Sequence, residues 1–187
     1  PEAWAAIQAR FQAAGRVPDP KPFDPGELAS NIAELYEAVC EDKGLDFKAE
    51  LTPRLTVNGA REILTQALAN LLDNAIKYTP EGGSIRVSIE NRPSGVALIV
   101  ADTGIGIPAE DRARVVDRFV RLEASRHSPG TGLGLSLVVA VAKLHDAKLD
   151  LADNAPGLKA TLLFPHDTAR PAPREITAPP AIQIAAK

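Results

Sequence analysis

The chain has 187 residues, 45% of them hydrophobic, and a formal net charge of −3, enough for one sizeable core and too short for two full domains. Its Arg and Lys residues form no run and the balance is slightly acidic, which argues against nucleic acid or an anionic membrane surface as partner. The single Cys40 excludes an intramolecular disulfide and fits a reducing compartment as a buried helix residue, and the longest nearly apolar run, Leu133 to Leu144, is too short to span a bilayer.

In chain order, Pro1 to Gly15 can form one short amphipathic helix carrying Trp4, Ile7 and Phe11. The abrupt beginning at Pro1, with no signal peptide, suggests a piece of a larger protein. Pro18, Pro20, Pro22 and Pro25 break helix, so residues 1–22 read as a linker. Asp24 is an N-cap for a helix running to about Lys43, with Leu28, Ile32, Leu35, Tyr36 and Val39 on its core side and Gly44 as its stop. Leu45 to Leu51 alternates as a strand does, and Thr56 to Asn58 is a short second strand.

Leu64 to Thr79 is the stretch around which the chain is organised. Leu64, Ala67, Leu68, Leu71, Leu72 and Ala75 recur at helical period and form a core stripe, while Asn70, Asp73, Asn74 and Lys77 share the opposite face. Asn is a poor helix former because its amide competes for backbone hydrogen bonds, and a merely solvated face would use Glu, Lys or Gln. Two Asn one turn apart, followed by a Lys, therefore point to a ligand.

After the turn at Glu81-Gly82-Gly83, Ser84 to Glu90 alternates and Gly95 to Ala101 is more continuously apolar, which predicts a β-hairpin across Pro93-Ser94. From Asp102 to Gly134 periodicity fails, apart from a helical patch at Ala109 to Val116. That span far exceeds the usual connection of about 4–6 residues and reads as a lid, about residues 103–132. Leu135 to His145 returns as a helix, and Lys148 to Ala152 with Ala160 to Phe164 forms a closing hairpin across Asn154 to Gly157. Beyond Pro165 the Ala and Pro content predicts a disordered tail, residues 167–187, leaving residues 23–166 as the folded domain. Three main helices gathered on one face of a mixed, mainly antiparallel sheet give a two-layer α/β sandwich.

Three clusters join the polar helix face. Asp102-Thr103-Gly104-Ile105-Gly106-Ile107 puts a carboxylate at a strand end before two glycines that permit tight turns. Gly130-Thr131-Gly132-Leu133-Gly134-Leu135 opens a helix, where approachable N–H groups suit phosphate; it is neither a P-loop nor a dinucleotide fingerprint. Arg118-Phe119-Val120-Arg121 and Arg126 place cations between them, as a polyphosphate requires.

With these spacings the sequence resembles the catalytic, ATP-binding domain of sensor histidine kinases, within the wider gyrase, chaperone, kinase and mismatch-repair ATPase superfamily and its Bergerat fold. Asn70-Leu-Leu-Asp73-Asn74-Ala-Ile-Lys77-Tyr78 looks like the N box, and Asp102-x-Gly104-x-Gly106 like the first glycine box. Arg118-Phe119 looks like the F box and Gly130-Thr131-Gly132-Leu133-Gly134 like the second glycine box. The resemblance covers roughly Phe23 to Phe164. It implies Mg²⁺ on the Asn74 side-chain oxygen, Asn70 near the triphosphate, and Asp73 as a helper of Asn74 or a base. Lys77 and Tyr78 would meet phosphate or ribose, and Arg121 or Arg126 the γ-phosphate. Asp102 would accept the adenine amine, with Gly104, Gly106 and Ile107 beside it. Gly130, Thr131, Gly132, Leu133, Gly134 and Leu135 would hinge the lid and present N–H groups, while Phe119 packs.

The implied partners are a histidine-bearing dimerisation domain and a response regulator, in a homodimeric parent; the domain itself is expected in the cytoplasm, under a parent that can be anchored in the inner membrane. His127, His145 and His166 read as ordinary surface histidines, since none lies on a long helix followed by Glu or Asp. Three other readings compete. A self-sufficient ATPase of the superfamily would carry Glu where Asn70 stands; a nucleotide-binding module would bind without transfer; a serine/threonine-directed kinase fits the opening FDPGELASNIAELY less well.

Overall fold

The computed structural model describes residues 20–115 and 134–166. Three helices occupy this part: α1 (Pro25–Asp42), α2 (Arg61–Tyr78) and α3 (Gly134–Leu144). The strands are β1 (Lys21–Phe23), β2 (Asp46–Leu51), β3 (Val57–Gly59), β4 (Ser84–Arg92), β5 (Gly95–Asp102), β6 (Lys148–Asp153) and β7 (Leu158–Phe164). Five of them form one sheet in the order β2-β4-β5-β7-β6, and β1 and β3 form a separate two-stranded ribbon.

Alternation dictates how the sheet buries one face. Leu51, Ile89, Leu98, Leu162 and Leu149 fall in register across all five strands, and Ala49, Val87, Val100, Ala160 and Leu151 form the next row. Leu64, Leu68 and Leu72 of α2 and Val138 and Val141 of α3 are fully buried in the same core. The opposite face of the sheet carries Glu50, Ser88, Ile99, Thr161 and Asp150 in one row, so the fold has two layers with its helices on one side. All pairings are antiparallel except β2 with β4.

The helix ends follow from local chemistry. Asp24 caps α1 by accepting from Gly26 N at 2.7 Å, Pro25 takes the first turn, and its second carboxylate oxygen accepts from Arg54 N at 2.8 Å. At the other end Gly44 takes φ +67°, and the Lys43 ammonium donates to Ile76 O and, at 3.1 Å, to Thr79 O. A cation from α1 thus serves the orphan carbonyls of α2.

Two expectations are corrected. Lys21 and Pro22, taken above as the end of the linker, form with Phe23 a strand paired with Val57–Gly59; Pro22 lacks a donor and sits where Pro is tolerated, in a short strand at an edge. Leu35 and Val39 are not core residues, being 67% and 46% exposed. The buried arc of α1 is centred instead on Ala29, Ile32, Ala33 and Cys40, whose mostly small side chains allow close approach, with Tyr36 half-buried at its border.

Candidate nucleotide site

Helix α2 turns its leucines into the core, which leaves Asn70, Asn74, Lys77 and Tyr78 half-buried on the other side. Asn70 donates Nδ2–H to Gln66 O at 2.8 Å, in the manner of polar side chains within helices, so its Oδ1 points away from the helix backbone. That oxygen meets the first residue of α3. A Cβ placed on Gly134 would come within 3.3 Å of Asn70 Oδ1 and 3.4 Å of Asn74 Nδ2. Two carboxamides and a helix N-terminus therefore converge, in a space that a larger side chain would fill. Leu135 follows on the same helix, half-buried. The Lys77 ammonium lies 4.8 Å from the Tyr78 ring centroid.

Asp73 faces elsewhere. It is exposed and accepts the Tyr36 hydroxyl at 2.8 Å, which engages it with α1; burial and this carboxylate push the tyrosine pKa far up.

Asp102 ends β5 and is 6% exposed. Its Oδ1 accepts from Gly104 N at 2.9 Å and Leu158 N at 3.2 Å, while Oδ2 has no hydrogen-bond partner among the described residues. Burial raises the carboxyl pKa above its ordinary value and the two N–H groups oppose that. The loop after it is drawn against α2: Ile105 N donates to Tyr78 O at 3.3 Å, and a Cβ on Gly104 would come within 2.4 Å of that same oxygen. Gly104 is therefore fixed by close approach and Gly106, at φ +66°, by conformation. Ile107 is half-buried beside them.

These features fit a nucleotide in outline, with the unpartnered oxygen of a largely buried aspartate at one end and two amides against a helix start at the other. Among the described residues no group of three His, Cys, Asp or Glu could hold a metal ion, so a divalent cation here would draw on an amide oxygen and phosphates. Arg121, Arg126, Gly130, Thr131, Gly132 and Leu133 lie outside the described residues, as do Arg118, Phe119 and His127.

The family model described as histidine kinase-, DNA gyrase B-, and HSP90-like ATPase matches residues 59–168, more than half of the chain. The chain belongs to this ATPase family.

Its relatives within the family are sensor histidine kinases. The chain is 33% identical to the sensor-like histidine kinase SenX3 of Mycobacterium tuberculosis over 172 residues, covering 87% of this chain and 42% of that protein. It is also 33% identical to the phosphate regulon sensor protein PhoR of Pseudomonas aeruginosa, over 92% of this chain and 39% of the relative. The chain thus spans about two fifths of these curated relatives. Among solved structures, the mycobacterial sensor histidine kinase MprB matches at 34% identity and TM-score 0.66, covering 78% of this chain and 97% of that one. The catalytic domain of histidine kinase ThkA matches at 27% and 0.71, covering 79% and 98%. The ATPase fold is the two-layer sandwich expected from the sequence.

Several residues of this ATPase domain carried no sequence signal. Asn154 donates Nδ2–H to Asp102 O at 2.7 Å, and Arg112 donates Nε–H to Ile107 O at 2.9 Å. His145, expected at the surface, is instead 8% exposed. Its Nε2 accepts from Ala60 N at 3.0 Å and its Nδ1 lies 2.8 Å from Val141 O, so the ring joins the end of α3 to the start of α2. Only the glycine at position 59 makes room, since a Cβ there would meet the ring at 2.2 Å. His166 is exposed, as expected, beside Arg92 O at 2.9 Å.

Proposed function

We propose that the chain is the catalytic domain of a sensor histidine kinase, binding Mg²⁺-ATP and donating the γ-phosphoryl group to a histidine on a dimerisation domain outside this chain. The observation that carries this reading is the convergence of Asn70 and Asn74 on Gly134 at the start of α3. In this reading Asn74 offers its amide oxygen to the metal, and Asn70, Lys77, Tyr78 and the Gly130–Leu135 segment address the phosphates. Asp102 accepts the adenine amine, flanked by Gly104, Gly106 and Ile107, and Arg121 or Arg126 faces the γ-phosphate. The metal, when bound, neutralises phosphate charge. The full-length ShkA structure, a 28% identical relative, was determined with AMPPNP, in keeping with a nucleotide at this site. Residues 23–166 form the catalytic unit and 103–132 its lid; the parent is a homodimer that passes phosphate to a response regulator.

Asn70 cannot accept a proton as a carboxylate would, and Asp73, the acid beside Asn74, is engaged by Tyr36. A well-placed general base contributes about 10²–10⁴ in rate, so water should be a poor nucleophile here. Transfer breaks the bond between γ-phosphorus and the bridging oxygen of ATP, forms a phosphorus–nitrogen bond on the acceptor imidazole and releases ADP.

The test mixes the chain with γ-labelled ATP, Mg²⁺ and the helical hairpin of its parent. The expected result is an acid-labile, base-stable label on a hairpin histidine and very slow ADP formation by the chain alone. Robust multiple-turnover hydrolysis without such a label would replace the kinase reading with a self-sufficient ATPase.

A further inference from the structure

Asp102 is the last residue of β5, and its main-chain oxygen lies beyond the ladder to β7, which ends at Ala101 opposite Lys159. That carbonyl would be an orphan in a half-buried loop. Asn154, in the turn between β6 and β7, takes it at 2.7 Å. The turn is closed by Asn154 N donating to Gly157 O at 3.2 Å. It is pressed so close that a Cβ on Gly157, at φ +109°, would fall 1.8 Å from Asp102 O. The next residue, Leu158, donates its N–H to Asp102 Oδ1. On the far side of the glycine loop, Arg112 holds Ile107 O and reaches back to Asp153 Oδ1 at 3.7 Å. A Cβ on Gly106 would meet Gly157 O at 2.9 Å, so loop and turn touch directly.

The Asp102 carboxylate is therefore aimed by contacts on its own main chain, on Oδ1 and on the loop that follows. We propose that the β6–β7 turn positions the base end of the site: Asn154, through Asp102 O, and Arg112, through Ile107 O, fix the direction of the free Asp102 oxygen and so set discrimination between 6-amino and 6-oxo purines. The proposal rests on the assignment of Asp102 to the adenine amine. Asn154 and Arg112 touch no base; they are positioning residues. The consequence is selective, because a tilt of the carboxylate weakens a hydrogen bond to an amino group and leaves the triphosphate contacts on α2 and α3 untouched.

The experiment measures affinities for ATP and inosine triphosphate, which share the phosphate chain and differ at position 6, on the unaltered chain and on Asp102→Ala, Asn154→Ala, Asn154→Asp and Arg112→Ala. Asn154→Asp keeps the outline of the side chain and loses the donor. Expected is an ATP preference of at least tenfold in the unaltered chain, nearly abolished in Asp102→Ala and reduced at least threefold by both Asn154 variants, with inosine triphosphate affinity little changed. Arg112→Ala, which leaves the turn intact, should move the ratio in the same direction and reads the proposal if the turn variants fold poorly. Collapse of the ratio in Asp102→Ala alone would overturn the positioning role while keeping the base assignment. An unchanged ratio in Asp102→Ala would overturn both. Equal losses for the two nucleotides, tracking a lower melting temperature, would reduce Asn154 and Arg112 to structural ties and also overturn the proposal.

Discussion

Replacing Asn74 by Ala removes the amide oxygen proposed to bind Mg²⁺ while substituting the best helix former for one of the poorer ones, a gain of up to about 0.7 kcal/mol in helix propensity. The expected outcome is a domain at least as stable as the original that has lost Mg²⁺-dependent ATP affinity in calorimetric titration; retained metal dependence would remove Asn74 from the site. Asp102 makes the complementary case. Burial raises its pKa, so above that pKa the ionised form is held less favourably in the fold than in the unfolded chain, and its contribution opposes folding at neutral pH. Asp102→Asn keeps an oxygen for Gly104 N and Leu158 N and discards the charge. It should raise the melting temperature of the nucleotide-free domain at pH 7.5 and erase most of the preference for ATP over GTP. A lower melting temperature with the preference intact would contradict both halves. These two positions were legible in the sequence because each breaks a local rule: paired Asn inside a helix, and an acid closing an apolar strand. Asn154 and Arg112 break none. An Asn in a turn and an Arg in a loop are ordinary; the carbonyl partner of Asn154 is 52 residues away and set by tertiary packing, and that of Arg112, five residues back, by the path of an irregular loop.

At the scale of elements, the N-cap of α2 is Ala60, which offers no capping side chain, and a partner for its own N–H comes from His145 at the end of α3. The imidazole accepts from Ala60 N and donates to Val141 O, which requires the neutral ring. Burial lowers its pKa below 6.5, against opposing contributions from its hydrogen bond to Val141 O and from the Asp146 charge. The sign follows: the stabilisation is complete above about pH 6.5 and is lost as pH falls from there through the lowered folded-state pKa. His145→Gln should cost about 1–3 kcal/mol at pH 7.5, the range for unsatisfied buried hydrogen-bonding groups. It should also flatten the fall in melting temperature between pH 7.5 and 5.5; an equal slope in both proteins would exclude His145 as the titrating group. The helices themselves were legible from apolar period, yet that period locates a stripe and does not centre it. Hence Leu35 and Val39 were placed inside, while packing turned α1 toward Ala33 and Cys40. The parallel pairing of β2 with β4 was equally silent, because alternation along a strand carries no direction.

At the scale of the molecule, the candidate site lies between α2, the start of α3 and the β5 end, so a nucleotide that binds the folded chain alone adds its binding energy to global stability. At 100 times its dissociation constant that addition is about 2.7 kcal/mol, which for a domain of this size raises the melting temperature by roughly 5–10 °C. Mg²⁺-ATP should give such a shift and chelation of the metal should remove most of it; a shift indifferent to chelation would separate the nucleotide from the cation. Three structural facts meet at one further place. Lys21 pairs with Gly59, Gly59 packs on the His145 ring, and α2 starts two residues later. Tension applied to the polypeptide at Pro20 therefore reaches the root of the asparagine-bearing helix and the tail of the helix that begins at Gly134 through a single strand pair. That pair is three residues long and short of one donor at Pro22, which makes it the shear pin of the domain: the joint that transmits small loads to both walls of the cleft and the first to part under large ones.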